Sequence, residues 1–335
     1  MILTLIFGFL FGAILQYSRL NRYNTISGMA MLKDFTMAKA IAVAIGLGMI
    51  FISVEVALGL ASYHIKPLLL VGVIAGGLIF GTGMAILGYC PGTIPISMGE
   101  GSVDAFIGFL GALAGGIIYT LIVPSIKGML GPDLGQIAFS SMFAKPSALF
   151  FVIIFFLGII IVAVAFWLNR IELGKNYRWL ISGTGLAMLT SLIFMKSLFD
   201  RVLGASTTYP YLGDFLTGMT NNDYYKSSIK SGNWELIFLA GAFLSGLVLS
   251  LFRKDFRLTL IHDNWLKTRG NSRRERIVWA FVGGFLLILG ARMAGGCTSG
   301  HIISGGMQLA LSSWMFAIFV FAAFLITGKF FYKKS

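Results

Sequence analysis

Gly76-Gly77-Leu78-Ile79-Phe80-Gly81-Thr82-Gly83-Met84-Ala85-Ile86-Leu87-Gly88-Tyr89-Cys90-Pro91-Gly92-Thr93 and Gly283-Gly284-Phe285-Leu286-Leu287-Ile288-Leu289-Gly290-Ala291-Arg292-Met293-Ala294-Gly295-Gly296-Cys297-Thr298-Ser299-Gly300-His301 are two versions of one pattern. When Cys90 is laid on Cys297, Gly76 falls on Gly283, Gly77 on Gly284, Gly83 on Gly290 and Gly88 on Gly295. The chain has only 2 cysteines, and each closes an apolar, glycine-studded segment. An internal repeat is the simplest reading.

The surrounding composition sets the solvent. Of 335 residues, 57% are hydrophobic and 12% charged, and the mean hydropathy is +0.86, outside the range of soluble domains. A bilayer core of ~30 Å takes about 20 apolar residues per helix. The segments that qualify are 1–17, 40–60, 67–89, 104–123, 147–168, 178–196, 235–252, 277–296 and 312–331. The sequence therefore predicts an all-α polytopic membrane protein of about nine hydrophobic spans, with no cleaved leader at Met1. It predicts two repeated halves, approximately 1–124 and 235–331, in which Gly12 pairs with Gly246 and Arg19 with Arg253. A linking insert, 125–234, supplies two spans and a polar loop.

The net charge of +13 would suit nucleic acid in a soluble protein. Here it reads as the basic bias of cytoplasmic loops. Arg253 to Arg276 carries eight Lys or Arg against three acids, and this basic loop, 253–276, is expected on the cytoplasmic face of a bacterial or archaeal inner membrane. No nucleic-acid partner, metal or cofactor is expected. The 3 histidines and 2 cysteines show no ligand spacing, and Gly81-x-Gly83 lacks the strand–turn–helix setting of a dinucleotide site.

Both cysteine segments predict broken or re-entrant helices. Gly88, Pro91 and Gly92 interrupt the first, before Thr93, so 74–102 reads as a helix broken near Cys90. Gly295, Gly296 and Gly300 interrupt the second. Thr298, Ser299 and His301 are then placed to cap or donate to a helix restarting near 301. Irregular backbone at membrane depth is tolerated only against protein or a polar cavity, and freed N–H groups at a helix start favour an anion. Arg292, inside an apolar run, needs a buried partner or a passing anion. Arg19 sits in a cluster of amides and arginines that reads as a membrane boundary or an anion mouth.

A lone cysteine in an apolar segment is ordinarily a small inert hydrophobe. Two at matched positions in breaker-rich sequence suggest paired sites near the midplane of a repeat-built transporter. Thiols are soft, weak hydrogen-bonding groups, so the expected substrate is a small sulfur- or chalcogen-containing anion. A membrane-embedded enzyme carrying a persulfide, or a structural subunit with inert cysteines, are the rival readings; no enzymatic activity is expected.

The segments Leu15-Gln16-Tyr17-Ser18-Arg19, Gly88-Tyr89-Cys90-Pro91-Gly92-Thr93 and Gly295-Gly296-Cys297-Thr298-Ser299-Gly300-His301 resemble the YeeE/YedE family of bacterial inner-membrane sulfur-compound transporters. The resemblance implies thiosulfate uptake through a compact hourglass of helices, with the ion passed between cysteines by hydrogen bonding. The cysteine stretches would then be inward-dipping loops. A cytoplasmic sulfurtransferase, rhodanese-like or a small sulfur carrier, would be its soluble partner. Family members that carry thiosulfate have a third cysteine shortly after the first arginine; this chain has Asn21 there, an amide that offers no sulfur.

Overall fold

A computed structural model describes residues 1–142, 148–172 and 176–332. Among these residues the chain is helical and forms no sheet, only isolated bridges. The helices are α1 (Ile2–Tyr17), α2 (Tyr23–Ala30), α3 (Thr36–Ala57), α4 (Leu70–Leu87), α5 (Ile94–Gly99), α6 (Val103–Ile126), α7 (Ala148–Ile171), α8 (Arg178–Phe194), α9 (Thr208–Leu216), α10 (Asp223–Phe252), α11 (Asp263–Arg269), α12 (Arg273–Met293) and α13 (Leu311–Phe331). A π-helical turn covers Thr298–Gly305.

Each apolar segment picked out by sequence has a helix at its core among the described residues, as lipid demands of a spanning backbone; Ser147, at the start of the 147–168 segment, lies outside them. Among the described residues, seven helices are long and apolar enough to cross a membrane, whereas α1 and α8 are shorter apolar helices of 16 and 17 residues. The structure departs from expectation at one helix start. The span expected at 235–252 starts at Asp223, because the Asn222 side chain caps the Tyr225 amide at 2.7 Å and begins the helix early. A helix does restart near 301, as a π-helix over Thr298–Gly305, whose wide turn the glycines at 300, 305 and 306 allow; the last span begins separately at Leu311.

The centre of the molecule is the antiparallel crossing of α4 and α12. A Cβ on Gly76 would lie 2.6 Å from the Gly290 carbonyl oxygen, and one on Gly290 would lie 2.6 Å from the Gly76 carbonyl oxygen. Likewise, a Cβ on Gly83 would lie 2.8 Å from the Gly283 carbonyl oxygen. Gly76 is the pattern mate of Gly283, and Gly83 of Gly290, so each helix shows the same two glycines to the other in reverse order. Small residues at a crossing let backbones meet where lipid provides no hydrophobic drive.

The flanking helices repeat the relation. α13 packs on α4 as α6 packs on α12, and α10 lies on α1 as α3 lies on α8. Alanine at Gly76 would force this crossing apart and is expected to cost about 1–3 kcal/mol or more. Its readout is a lower melting temperature in detergent; an unchanged one would show that the helices yield.

Candidate functional site

The two cysteine segments enter the protein from opposite ends. α4 stops at Leu87 because Gly88 turns left-handed, with φ +79°, and α12 gives way after Met293 to Gly295, with φ +73°. Each positive φ suits glycine, which has no Cβ to clash. Cys90 follows the first turn and Cys297 the second; they are 8% and 1% exposed, so both thiols are withdrawn from lipid and bulk water.

Around Cys90 the backbone is tied by its neighbours. Thr93 Oγ1 accepts from the Cys90 amide at 2.9 Å and donates to the Cys90 carbonyl at 3.1 Å. The Tyr209 hydroxyl, from α9, donates to the Pro91 carbonyl at 2.6 Å. Gly92 packs under Phe11 and Ala205. The 203–205 stretch touches both segments, with Ala205 beside Gly92 and the Leu203 carbonyl beside Gly300.

Around Cys297 the side chains are less fully tied. Its Sγ lies 3.2 Å from Ser299 Oγ, and the Thr298 hydroxyl is buried with no hydrogen-bond partner. His301 is fully buried, and its Nδ1 lies 3.0 Å from Ser313 Oγ while Nε2 lies 2.8 Å from the Ala294 carbonyl. Both ring nitrogens are thus engaged in holding the loop to α13 and to the end of α12.

Cys297, Gly295, Gly296 and Gly300 line a cavity of about 330 Å³ at the end opposite the 253–276 loop. Three cations, Lys66, Arg201 and Arg292, face it with one carboxylate, Glu235. Glu235 is already occupied: it accepts from the Thr207 and Thr208 amides at 2.6 and 3.2 Å and stands 3.9 Å from Arg201. Arg292 is held by hydroxyls alone, donating to Tyr224 at 2.6 Å, Thr207 at 3.1 Å and Ser206 at 3.2 Å. Lys66 donates to the Gly295 carbonyl at 2.6 Å. Hydroxyls and carbonyls orient these two cations without neutralising them, and two unneutralised cations at a cavity floor attract an anion.

Arg292, chosen from sequence, therefore belongs to the cavity. Lys66 was missed, because a single lysine before Pro67 in the loop between α3 and α4 has no motif; only the fold carries it over Gly295 and Gly296. Arg19 and Asn21 lie at the other end. Arg19, in a left-handed conformation with φ 60°, lines a separate cavity with Tyr17, Ser18, Asn176 and Arg178. Asn21 is fully buried beside α5: its carbonyl accepts from Ser97 Oγ at 2.6 Å, and its side-chain Oδ1 has no partner.

Residues 18–326 match the family model described as Sulphur transport. The chain belongs to this sulphur transport family. It is 29% identical to the thiosulfate transporter TsuA of Spirochaeta thermophila over 94% of both chains. With TsuA of Escherichia coli it shares 20% identity over 94% of this chain and 90% of that one. A further relative, the probable transporter YedE of Escherichia coli, is 34% identical over 91 residues, 26% of this chain and 22% of that one. The YeeE/YedE family expected from the motifs is thus the family of this chain.

Proposed function

We propose that this protein is a permease for a small sulfur-containing anion, thiosulfate first in rank, which it admits at the Lys66–Arg292 cavity and passes along Cys297 and Cys90. The observation that carries the reading is the cavity itself: two unneutralised cations and a ring of hydroxyls converge on one of the chain's two thiols. Oxyanion oxygens would accept from the cations and from Ser206, Thr207 and Tyr224. The terminal sulfur would meet the thiol S–H, soft group to soft group. No covalent step is needed.

The same reading places the 253–276 loop in the cytoplasm, by the basic bias of cytoplasmic loops, and the cavity on the opposite face. It also takes the molecule as an inverted repeat, the usual plan of such carriers. The packing relations favour boundaries near 1–126 and 178–331, so that α1 to α6 answer to α8, α9, α10, α12, the π-turn and α13, with α7 as the link. In that scheme α1 and α10 are neighbours across the axis rather than repeat mates. A cytoplasmic sulfurtransferase, rhodanese-like or a small carrier, fits as the acceptor of the delivered sulfur.

Radiolabelled thiosulfate uptake into cells lacking their own importers tests the reading. Uptake above the empty-vector level supports it, and none overturns thiosulfate as the substrate. Within that assay, Lys66→Ala is expected to raise the half-saturating concentration about tenfold or more, the scale of one hydrogen bond to a charged group. Burial pushes the Lys66 ammonium down to about 8. It is charged below that pH and neutral above, so uptake should fall as the outside pH rises through about 8. Lys66→Arg, protonated throughout, should remove the fall; the same decline in the arginine variant would reject Lys66 as its source.

A further inference from the structure

The repeat is broken at one position beside each cysteine. The offset that lays Cys90 on Cys297 lays Tyr89 on Gly296. On the Cys297 side Gly296 has no side chain, and the space beside it is taken by the Lys66 ammonium and the His301 ring, while nothing lies within 4 Å of where a Cβ on the preceding Gly295 would be; the cavity's own cation, rather than a phenol, stands beside this thiol. On the Cys90 side the phenol of Tyr89 is fully buried, and the Tyr23 ring fills the space over Gly88 so closely that no Cβ would fit.

The phenol is also tethered. The Tyr89 hydroxyl donates to Asp104 at 3.2 and 3.3 Å and lies 3.1 Å from His262 Nε2. His262 stacks on the Tyr23 ring at 5.0 Å, and the Tyr23 hydroxyl lies 2.8 Å from that of Tyr332. A second cavity, of about 270 Å³, opens at this end among Arg22, Asn24, Glu100, Asp255 and Arg257, and its walls include Tyr23 and His262. A strap of the basic loop crosses it, with the Arg257 and Thr259 amides donating to the Glu100 and Gly101 carbonyls at 3.2 and 3.0 Å. From the basic face inward, the order is cavity, Tyr23 with His262, Tyr89, then Cys90.

We propose that Tyr89, backed by Tyr23 and held by Asp104 and His262, is the gate on the basic-loop side of the pathway, shut in this structure, while on the opposite side the Lys66–Arg292 cavity reaches as far as Cys297. The polar tether suits a gate: an aromatic ring blocks the passage, and two or three hydrogen bonds, rather than close packing alone, keep it in place. The inference rests on the proposed pathway for its purpose but not for its geometry.

Because the chain has only 2 cysteines, thiol labelling reads each side separately. A membrane-impermeant methanethiosulfonate is applied to right-side-out and inside-out vesicles carrying Cys90→Ala or Cys297→Ala. The expected result is that Cys297 is labelled from the face opposite the basic loop and Cys90 is protected from the basic face. Adding Tyr89→Gly should raise the labelling rate of Cys90 from the basic face by about tenfold or more, the scale of hydrogen bonds to charged groups released. Tyr89→Phe, which keeps the ring and loses the tether, should lie between.

Rapid labelling of Cys90 from the basic face with Tyr89 intact overturns the gate without any gate variant, so a misfolded glycine variant leaves the test decisive. An unchanged rate in a folded glycine variant overturns it too. Gated labelling in a protein whose thiosulfate uptake ignores both cysteines would retain the gate and reject the pathway reading.

Discussion

Alanine at Cys297 is expected to reduce thiosulfate uptake to the level of cells lacking the protein, at matched expression. The thiol stands at the floor of the cavity, 1% exposed, with a single serine hydroxyl as its hydrogen-bond partner. Alanine leaves the cations and hydroxyls of the cavity in place and removes only the soft donor, so an ion could still be attracted but not handed on. Cys90→Ala is expected to do the same one step further in. Serine at either place tests the chemistry: it restores a hydroxyl donor of similar size but not a polarizable one, and uptake should remain well below that of the parent. Unchanged uptake in both alanine variants would sink the relay and leave the cations as the whole of the site.

Asp104→Ala is expected to act on the fold itself, lowering stability by about 3–5 kcal/mol, the usual result of stranding one member of a buried ion pair. Asp104 and Arg276 are both fully buried, and Arg276 Nη2 and Nε reach Asp104 Oδ2 at 2.5 and 3.2 Å. The guanidinium also donates to the Ile86 and Leu87 carbonyls at 3.2 and 2.7 Å. It thereby satisfies the last carbonyls of α4, which a helix end otherwise leaves bare, and pins the start of the Cys90 turn. Without Asp104 the cation keeps these carbonyls and the faces of Tyr23 and Trp265 but no counter-charge. The melting temperature in detergent should drop and the yield of folded protein with it. A double variant, Asp104→Ala with Arg276→Met, should recover part of the loss, since an apolar replacement strands no charge. An unchanged melting temperature in Asp104→Ala would mean that water reaches the pair.

The sequence already held the membrane class, the helical segments and the pairing of the cysteine stretches, for local reasons. Apolar runs of spanning length can only be helices in lipid, and Gly88 and Gly295 mark left-handed turns by their residue type. It also pointed to Arg292, because a guanidinium in an apolar run demands partners. Other features were decided by the tertiary structure alone. Lys66 reaches Gly295 across a long stretch of chain with no periodicity to announce it. The ring nitrogens of His301 turned out to be engaged by Ser313 and Ala294, a use no motif distinguishes from binding an anion. The helix relations were hidden as well, since α1 and α10 share a glycine and arginine pattern and yet lie side by side. Chain-local chemistry determines where helices run and break; which charges meet, and which thiol faces a cavity, depends on crossings between distant segments, where the closeness of two backbones is set by both at once.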